Sequence, residues 1–158
     1  MNNETLSIVI PVYNEASSLI ELYEEIKVNV SSFSLWEILF IDDGSTDDSG
    51  EIIRSLYEKD KRIKLIQFHR NYGKSAALSE GFNMATGNYI LTMDADLQDD
   101  PAEIDNLYKK ILEGYDLISG WKKSRKDPLS KRLPSKFFNR VTRLMTGVKI
   151  HDFNCGIK

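Results

Sequence analysis

Three features of the sequence predict an α/β fold built on a mostly parallel sheet. Short apolar stretches rich in β-formers alternate with longer stretches of helical periodicity. No internal repeat, low-complexity segment or linker divides the 158 residues, which suffice for one domain with its own core. Each of the first four apolar stretches ends in a polar cluster, the arrangement of sheets that bind ligands beyond the carboxyl ends of their strands.

The elements follow in order. Leu6 to Pro11 reads as a first strand, ended by its proline. Tyr13-Asn14-Glu15 is a loop, and Asn14 or Ser17 is expected to cap a helix whose Leu19, Leu22, Tyr23, Ile26 and Val30 share one face. Trp36 to Ile41 is a second strand, running into Asp42-Asp43-Gly44-Ser45-Thr46-Asp47, and a helix from about Asp48 to Lys59 follows. Ile63 to Phe68 is the third strand, with His69-Arg70-Asn71-Tyr72-Gly73-Lys74 as its exit and a helix over Ser75 to Ala85. Tyr89 to Met93 is the fourth. Pro101 suits the first position of a helix reaching about Leu112. A fifth strand is expected over Tyr115 to Ser119, a basic loop over Gly120 to Pro128, and a last helix over Ser130 to Met145.

The fourth strand delivers Asp94-Ala95-Asp96. Residues i and i+2 at a strand end point the same way, so the two carboxylates are expected to face one point. Two like charges that close call for a cation or a shared proton. Oxygen ligands of this kind suit Mg²⁺ or Mn²⁺, and Gln98 adds a neutral oxygen. An isolated Asp-x-Asp is more often a solvated pair at a turn. The convergence of four polar strand ends on one rim shifts the balance toward a site.

Other chemistries lack their residues. No Gly-x-Gly-x-x-Gly follows the first strand, and Gly73-Lys74-Ser75 lacks the first glycine of a phosphate-binding P-loop. No Ser-His-Asp or Cys-His pattern supports nucleophilic hydrolysis. The single cysteine, Cys155, allows no internal disulfide and is read as a small buried hydrophobe in a reducing compartment. Met1 to Thr5 is polar and does not read as a signal peptide. A receiver-type phospho-acceptor or a haloacid-type phosphatase would carry its acids after the first strand, not after the second and fourth. Two acidic clusters with separate tasks, Asp43 for a nucleobase and Asp94, Asp96 and Gln98 for a metal on a diphosphate, describe a nucleotide-sugar site.

Ile8-Val9-Ile10-Pro11-Val12-Tyr13-Asn14-Glu15, Ile41-Asp42-Asp43-Gly44-Ser45-Thr46-Asp47, Arg70-Asn71-Tyr72-Gly73-Lys74 and Met93-Asp94-Ala95-Asp96-Leu97-Gln98 together resemble a family 2 glycosyltransferase of the GT-A fold. Asp94 to Pro101 is similar to the polyprenyl-phosphate branch, the dolichyl-phosphate mannose synthases and bacterial undecaprenyl-phosphate glycosyltransferases. Gly120-Trp121-Lys122-Lys123-Ser124-Arg125 and Asp152-Phe153-Asn154-Cys155-Gly156 resemble its bacterial members. The resemblance covers Leu6 to Lys158. It implies a GT-A, Rossmann-like single domain over residues 1–158, with the nucleotide-sugar part in 1–100 and the start of the acceptor part in about 115–158. Pro11, Tyr13, Glu15, Ile41 and Asp43 would line the nucleoside pocket; Asp94, Ala95, Asp96 and Gln98 would hold the metal, Mg²⁺ or Mn²⁺, and the diphosphate. Arg125 or Lys122 would meet phosphate, and Asp96 and Asp152 would be the catalytic residues, Asp152 next to the acceptor as a base or to orient it. The implied reaction inverts the anomeric carbon as sugar passes from a UDP- or GDP-sugar to a polyprenyl phosphate at the cytoplasmic face of a membrane. No nucleic-acid partner is implied, and a homo-oligomer stays open. A polysaccharide or soluble acceptor is the alternative within the family, a nucleotide-binding remnant the alternative outside catalysis. Relatives of this kind continue past Gly156, so the chain is expected to be C-terminally truncated and, while binding nucleotide, to transfer sugar poorly.

Charge is distributed unevenly. Residues 122 to 143 hold nine Lys/Arg and one Asp, a local +8, which leaves −11 for the rest of a chain whose net charge is −3. Leu133, Phe137, Val141, Leu144 and Met145 make an apolar stripe flanked by Lys131, Arg132, Lys136, Arg140 and Arg143. That pattern fits either a helix lying on anionic lipid or one packing its stripe on the core. On the lipid reading, the chain sediments with anionic vesicles and is released as salt rises, because surface charge is screened over about 8 Å at physiological ionic strength. Charge reversal at Lys136 and Arg140 should abolish the binding; sedimentation indifferent to salt and to both reversals would contradict it.

Overall fold

The computed structural model describes residues 4–120 and 156–158. Four strands, β1 (Thr5–Val12), β2 (Leu35–Asp42), β3 (Ile63–Gln67) and β4 (Tyr89–Thr92), alternate with helices α1 (Leu19–Asn29), α2 (Ser49–Lys59) and α3 (Lys74–Met84). After β4 come a 3₁₀ turn, Pro101–Glu103, and α4 (Ile104–Ile111). The strand order is β3-β2-β1-β4 and every pairing between these strands is parallel. The chain steps outward from β1 to β3 and then crosses back to place β4 on the other side of β1. The strand order therefore reverses between β1 and β4, and at such a switch point the connections diverge and leave a crevice above the carboxyl ends.

β1 is apolar at consecutive positions because both its faces are covered. Ile8 and Ile10 face the larger core, built with Leu22 and Ile26 of α1, Ile53 of α2 and Ile104 of α4. Val9 faces a smaller one with Leu39, Ile41 and Ala77, beneath α3. Ile8, Val9 and Ile10 are fully buried, and each such side chain contributes about 1.5–3 kcal/mol of hydrophobic stabilisation. This rigid centre carries the strand ends that form the rim.

Several sequence-based expectations need correction. The helix predicted from Pro101 begins as a 3₁₀ turn and becomes α-helical at Ile104. Neither Asn14 nor Ser17 caps α1: the N-cap is Ser18, whose hydroxyl donates to the Glu15 carbonyl at 2.9 Å. Tyr115 to Ser119 is not a strand. The place beside β4 is taken by the last residues, where Thr92 and Lys158 exchange both backbone hydrogen bonds (2.9 and 3.3 Å), the mark of antiparallel pairing. The Gly120 N–H, just past the expected strand, donates to the Ile157 carbonyl at 3.0 Å. The predicted last helix, Arg125, Asp152 and Cys155 lie outside the described residues. Among the described residues no helix is long and apolar enough to cross a membrane.

Away from the rim, Glu37 ties three strands and a loop together. Its carboxylate accepts from the Ser7 hydroxyl (2.6 Å), from the Thr86 N–H (2.9 Å) and hydroxyl (2.8 Å), and pairs with Lys64 (2.6 Å). Burial alone would raise its pKa; the Lys64 ammonium and the Ser7 and Thr86 donors outweigh burial and hold it at about 2. The unfolded value is about 4.3, so this stabilisation is complete above that pH and is lost as pH falls toward 2. Glu37→Gln should cost about 1–3 kcal/mol at pH 7. Urea unfolding should show the gap between wild type and variant closing from pH 5 to pH 2; a gap constant over that range would contradict the assignment.

Candidate functional site

The rim is assembled from four connections that bond to one another. Asn14, in the left-handed region at φ 56°, donates its N–H to the Ser45 hydroxyl (3.0 Å), while its side-chain oxygen accepts from the Thr46 N–H (2.8 Å). Asparagine tolerates that backbone better than most residues. The Glu15 N–H donates to the Ser49 hydroxyl (3.0 Å) and the Ala16 N–H to Asp47 Oδ2 (3.1 Å). The loop after β1 is thereby fastened to the loop after β2. Asp42, fully buried, accepts from the Ser45 N–H at 2.9 Å and from the Gln67 amide at 2.9 Å, joining β2 to β3.

The third connection rests on Asp43 and Gly44. Asp43 is buried, and its two oxygens accept from the Tyr72 N–H (2.7 Å) and the Gly73 N–H (2.9 Å). Gly44 adopts φ 72°, and a Cβ there would stand 2.4 Å from the Arg70 carbonyl carbon, so only glycine lets the two loops meet. Asp43 was expected to receive a nucleobase. It borders the cleft, but its oxygens are already engaged by loop amides and a base would have to use their remaining lone pairs.

Beyond β4, Asp94 and Asp96 reach the same cleft by a route other than the expected one. β4 ends at Thr92, so the two acids sit in a turn rather than on one face of a strand. Ala95 between them is buried in the larger core, and Leu97 takes φ 59°. The turn is closed by the Gln98 N–H donating to Asp96 Oδ1 at 3.1 Å.

These parts enclose a cleft of about 320 Å³ lined by Pro11, Val12, Tyr13, Glu15, Asp43, Asn71, Gly73, Lys74, Asp94, Ala95 and Asp96. Pro11, Tyr13, Glu15, Asp43, Asp94, Ala95 and Asp96 are thus brought together. Ile41 is not: it is fully buried with Val9 and Ala77. Gln98 is exposed and does not line the cleft. Arg125 and Asp152 lie outside the described residues. Val12, Asn71, Gly73 and Lys74 are additional lining residues; the last three lie in the Arg-Asn-x-Gly-Lys run at the exit of the third strand, where the sequence reads Gly73 as a tight turn and the rim position of Arg70 and Lys74 as favouring a phosphate or base contact.

Negative charge accumulates in the cleft. The Glu15 carboxyl is raised above its ordinary pKa, first by burial, then by the Asp96 charge, with Asp47 and Asp94 adding to it. Among the described residues, the Lys74 ammonium answers from within by bonding to Asp94. Among the described residues no three His, Cys, Asp or Glu side chains group to hold a metal unaided. Two acids with open coordination positions nevertheless fit a hard cation that takes its other ligands from phosphate oxygens and water, as Mg²⁺ commonly does. Next to the cleft, α3 and β4 leave an apolar groove of about 410 Å³ between Leu78, Phe82, Ile90 and Leu117, with Lys74 and Asp94 at its polar end.

The family model described as glycosyl transferase family 2 matches residues 7–157. The chain belongs to that family. An undecaprenyl-phosphate 4-deoxy-4-formamido-L-arabinose transferase of Salmonella choleraesuis is 41% identical over 155 residues, covering 97% of this chain and 47% of that relative. This family 2 chain spans about half the length of the curated relatives it matches. Glucosyl-3-phosphoglycerate synthase from Mycobacterium tuberculosis, solved with UDP, superposes at a TM-score of 0.70 with 21% identity, over 98% of this chain and 55% of that one. A mannosyltransferase from Pyrobaculum calidifontis, solved with GDP-Man and Mn²⁺, gives 0.54 with 26% identity over 61% of this chain and 28% of that one. The described strands and helices form a GT-A sheet.

Asp43→Asn would set an amide N–H₂ against one of the two loop N–H groups. The variant should lose about 1–3 kcal/mol of stability, and the Tyr72 and Gly73 amides should exchange with solvent sooner than their neighbours. Unchanged protection at those two amides would refute the anchoring role.

Proposed function

We propose that the cleft binds a nucleotide-sugar with a divalent cation and that the protein to which this chain belongs transfers the sugar to a polyprenyl phosphate. The observation that carries the donor half is the convergence of Asp94 and Asp96 with Pro11, Tyr13, Glu15 and Asp43 in one cleft at the switch point of a family 2 sheet. The acceptor half is supported by relatives whose names specify undecaprenyl phosphate.

The residues have distinct tasks in this reading. Tyr13 is exposed at the mouth and offers a ring face for stacking against a base, while Pro11 and Val12 supply the floor. Asp43 holds the loop that carries Asn71 and Gly73 to the wall, and accepts from a base imide or amide with its remaining lone pairs. Asp94 and Asp96 would hold Mg²⁺ or Mn²⁺ for the diphosphate, and Gln98 keeps Asp96 in place through its backbone N–H. The metal, when bound, neutralises charge growing on the departing nucleoside diphosphate. A phosphate oxygen of the acceptor bonds to the anomeric carbon as the bond to the diphosphate breaks on the opposite side, with inversion. The acceptor is already anionic, so it needs orientation more than deprotonation; Asp152 and Arg125 are assigned to that orientation and to phosphate contact. The basic segment is assigned to the membrane surface from which the acceptor is drawn.

Calorimetry with UDP and GDP tests the donor half. At least one should bind with Mg²⁺ or Mn²⁺ and lose most of its affinity in chelator. Asp96→Asn should weaken metal-supported binding about tenfold or more, consistent with loss of a charge beside the metal. Equal affinity with and without chelator would sink the metal assignment. No binding of either nucleotide would sink the donor assignment.

A further inference from the structure

Lys74 opens α3 at the lip of the cleft, and its ammonium bonds to Asp94 Oδ1. The two partners are held very differently. A Cβ built on Gly156 would lie 2.7 Å from Asp94 Cγ and Oδ2 and 2.3 Å from Asp99 Oδ2, so Gly156 packs beside the carboxylate with no room for a side chain between them. Gly156 is fixed in turn by its carbonyl, which accepts from the Thr92 hydroxyl at 2.9 Å. The Asp94 N–H donates to Asp99 Oδ2 at 3.3 Å. Asp94 is thus enclosed by its own turn and by Gly156 beside β4. Besides that ion pair, Lys74 is anchored among the described residues at its root, where Asp43 grips the preceding Gly73 N–H. Its side chain is 54% exposed, against 30% for Asp94. The carboxylate stays put, while a four-carbon stem in solvent is free to swing.

We propose that Lys74 is the resident counter-ion of Asp94, that a divalent cation displaces it from the carboxylate, and that the released ammonium passes to a phosphate of the incoming nucleotide. This rests on the reading of the cleft as a metal and nucleotide-diphosphate site and adds Lys74 as a positioning residue. Before ligands bind, the ion pair neutralises one of the acids that crowd Glu15. When the metal arrives alone it must break that pair. When nucleotide arrives with it, the ammonium has an anion to receive it. Metal and nucleotide should therefore strengthen each other's binding, by the same factor in either order.

Two measurements on the whole chain decide the matter. In wild type, the Cε–H signal of Lys74, followed by NMR, should move on addition of Mg²⁺ with nucleotide. Part of that path should lead toward the position it holds in metal-free Asp94→Asn, where the ion pair is already gone. Lys74→Met should bind Mn²⁺ alone about two- to five-fold more tightly, the scale of an exposed ion pair, while binding nucleotide with Mn²⁺ less tightly than wild type does. Lys74→Arg, which keeps the charge, should show no such gain. If nucleotide and Mg²⁺ bind while the Lys74 signal stays at its apo position, the exchange is wrong and the reading of the cleft survives. The same holds if Lys74→Met gains nothing for Mn²⁺. If nucleotide and metal do not bind wild type at all, both fall together.

Discussion

Carboxylates at the rim accept hydrogen bonds from backbone N–H groups before any ligand arrives, and the site depends on this. Asp42 takes Ser45, Asp43 takes Tyr72 and Gly73, Asp47 takes Ala16 and Ser49, and Asp96 takes Gln98. An acid-rich set of strand ends would repel itself apart if its charges met nothing but water and one another. Charge-assisted bonds to amides are stronger than neutral ones; those from Ala16 to Asp47 and from Tyr72 and Gly73 to Asp43 run between connections, while those at Asp42 and Asp96 close their own turns. The acids that concentrate negative charge thus also fasten the loops that carry it. Asp94 differs, because its partner is the Lys74 side chain, which is able to leave.

The parallel sheet gives this rim its foundation. Three crossovers bring the carboxyl ends of β1, β2, β3 and β4 to one side, and the reversal of order between β1 and β4 opens the crevice there. Fully buried Ile8, Val9 and Ile10 fix β1 between two cores, so Pro11 to Glu15 leave it from a rigid base. On that base, the positions of a few exposed side chains are set by elements that are not themselves flexible. Preorganisation of this kind lowers the ordering cost of binding, which for a charged ligand is as important as attraction.

Much of this was legible in the sequence because the signals were periodic and local. The β1 to β4 strands, the intervening helices and the parallel class followed from alternating apolar runs and helical spacing, and the acidic ends marked the rim. The segment Tyr115 to Ser119 misled because its composition suits a strand, whereas edge pairing is decided by which distant residue arrives, here Lys158 on Thr92. Ile41 misled in another way: position next to Asp42 and Asp43 does not say which face of the strand a side chain takes, and Ile41 faces α3. Asp43's grip on Tyr72 and Gly73 spans 29 and 30 residues, beyond any local pattern. The convergence of Asp94 and Asp96 was anticipated for the wrong reason, since a turn and not a strand face brings them together.

The central proposal is that a nucleoside diphosphate and a divalent cation meet at this rim. Backbone amide NMR of the whole chain during titration with UDP or GDP and Mg²⁺ tests it most directly. The account predicts saturable shifts concentrated in residues 11–15, 43–45, 71–74 and 94–98, with β3 and the outer face of α2 unmoved. Saturable shifts centred elsewhere, or none at the four connections while the nucleotide binds, would contradict it.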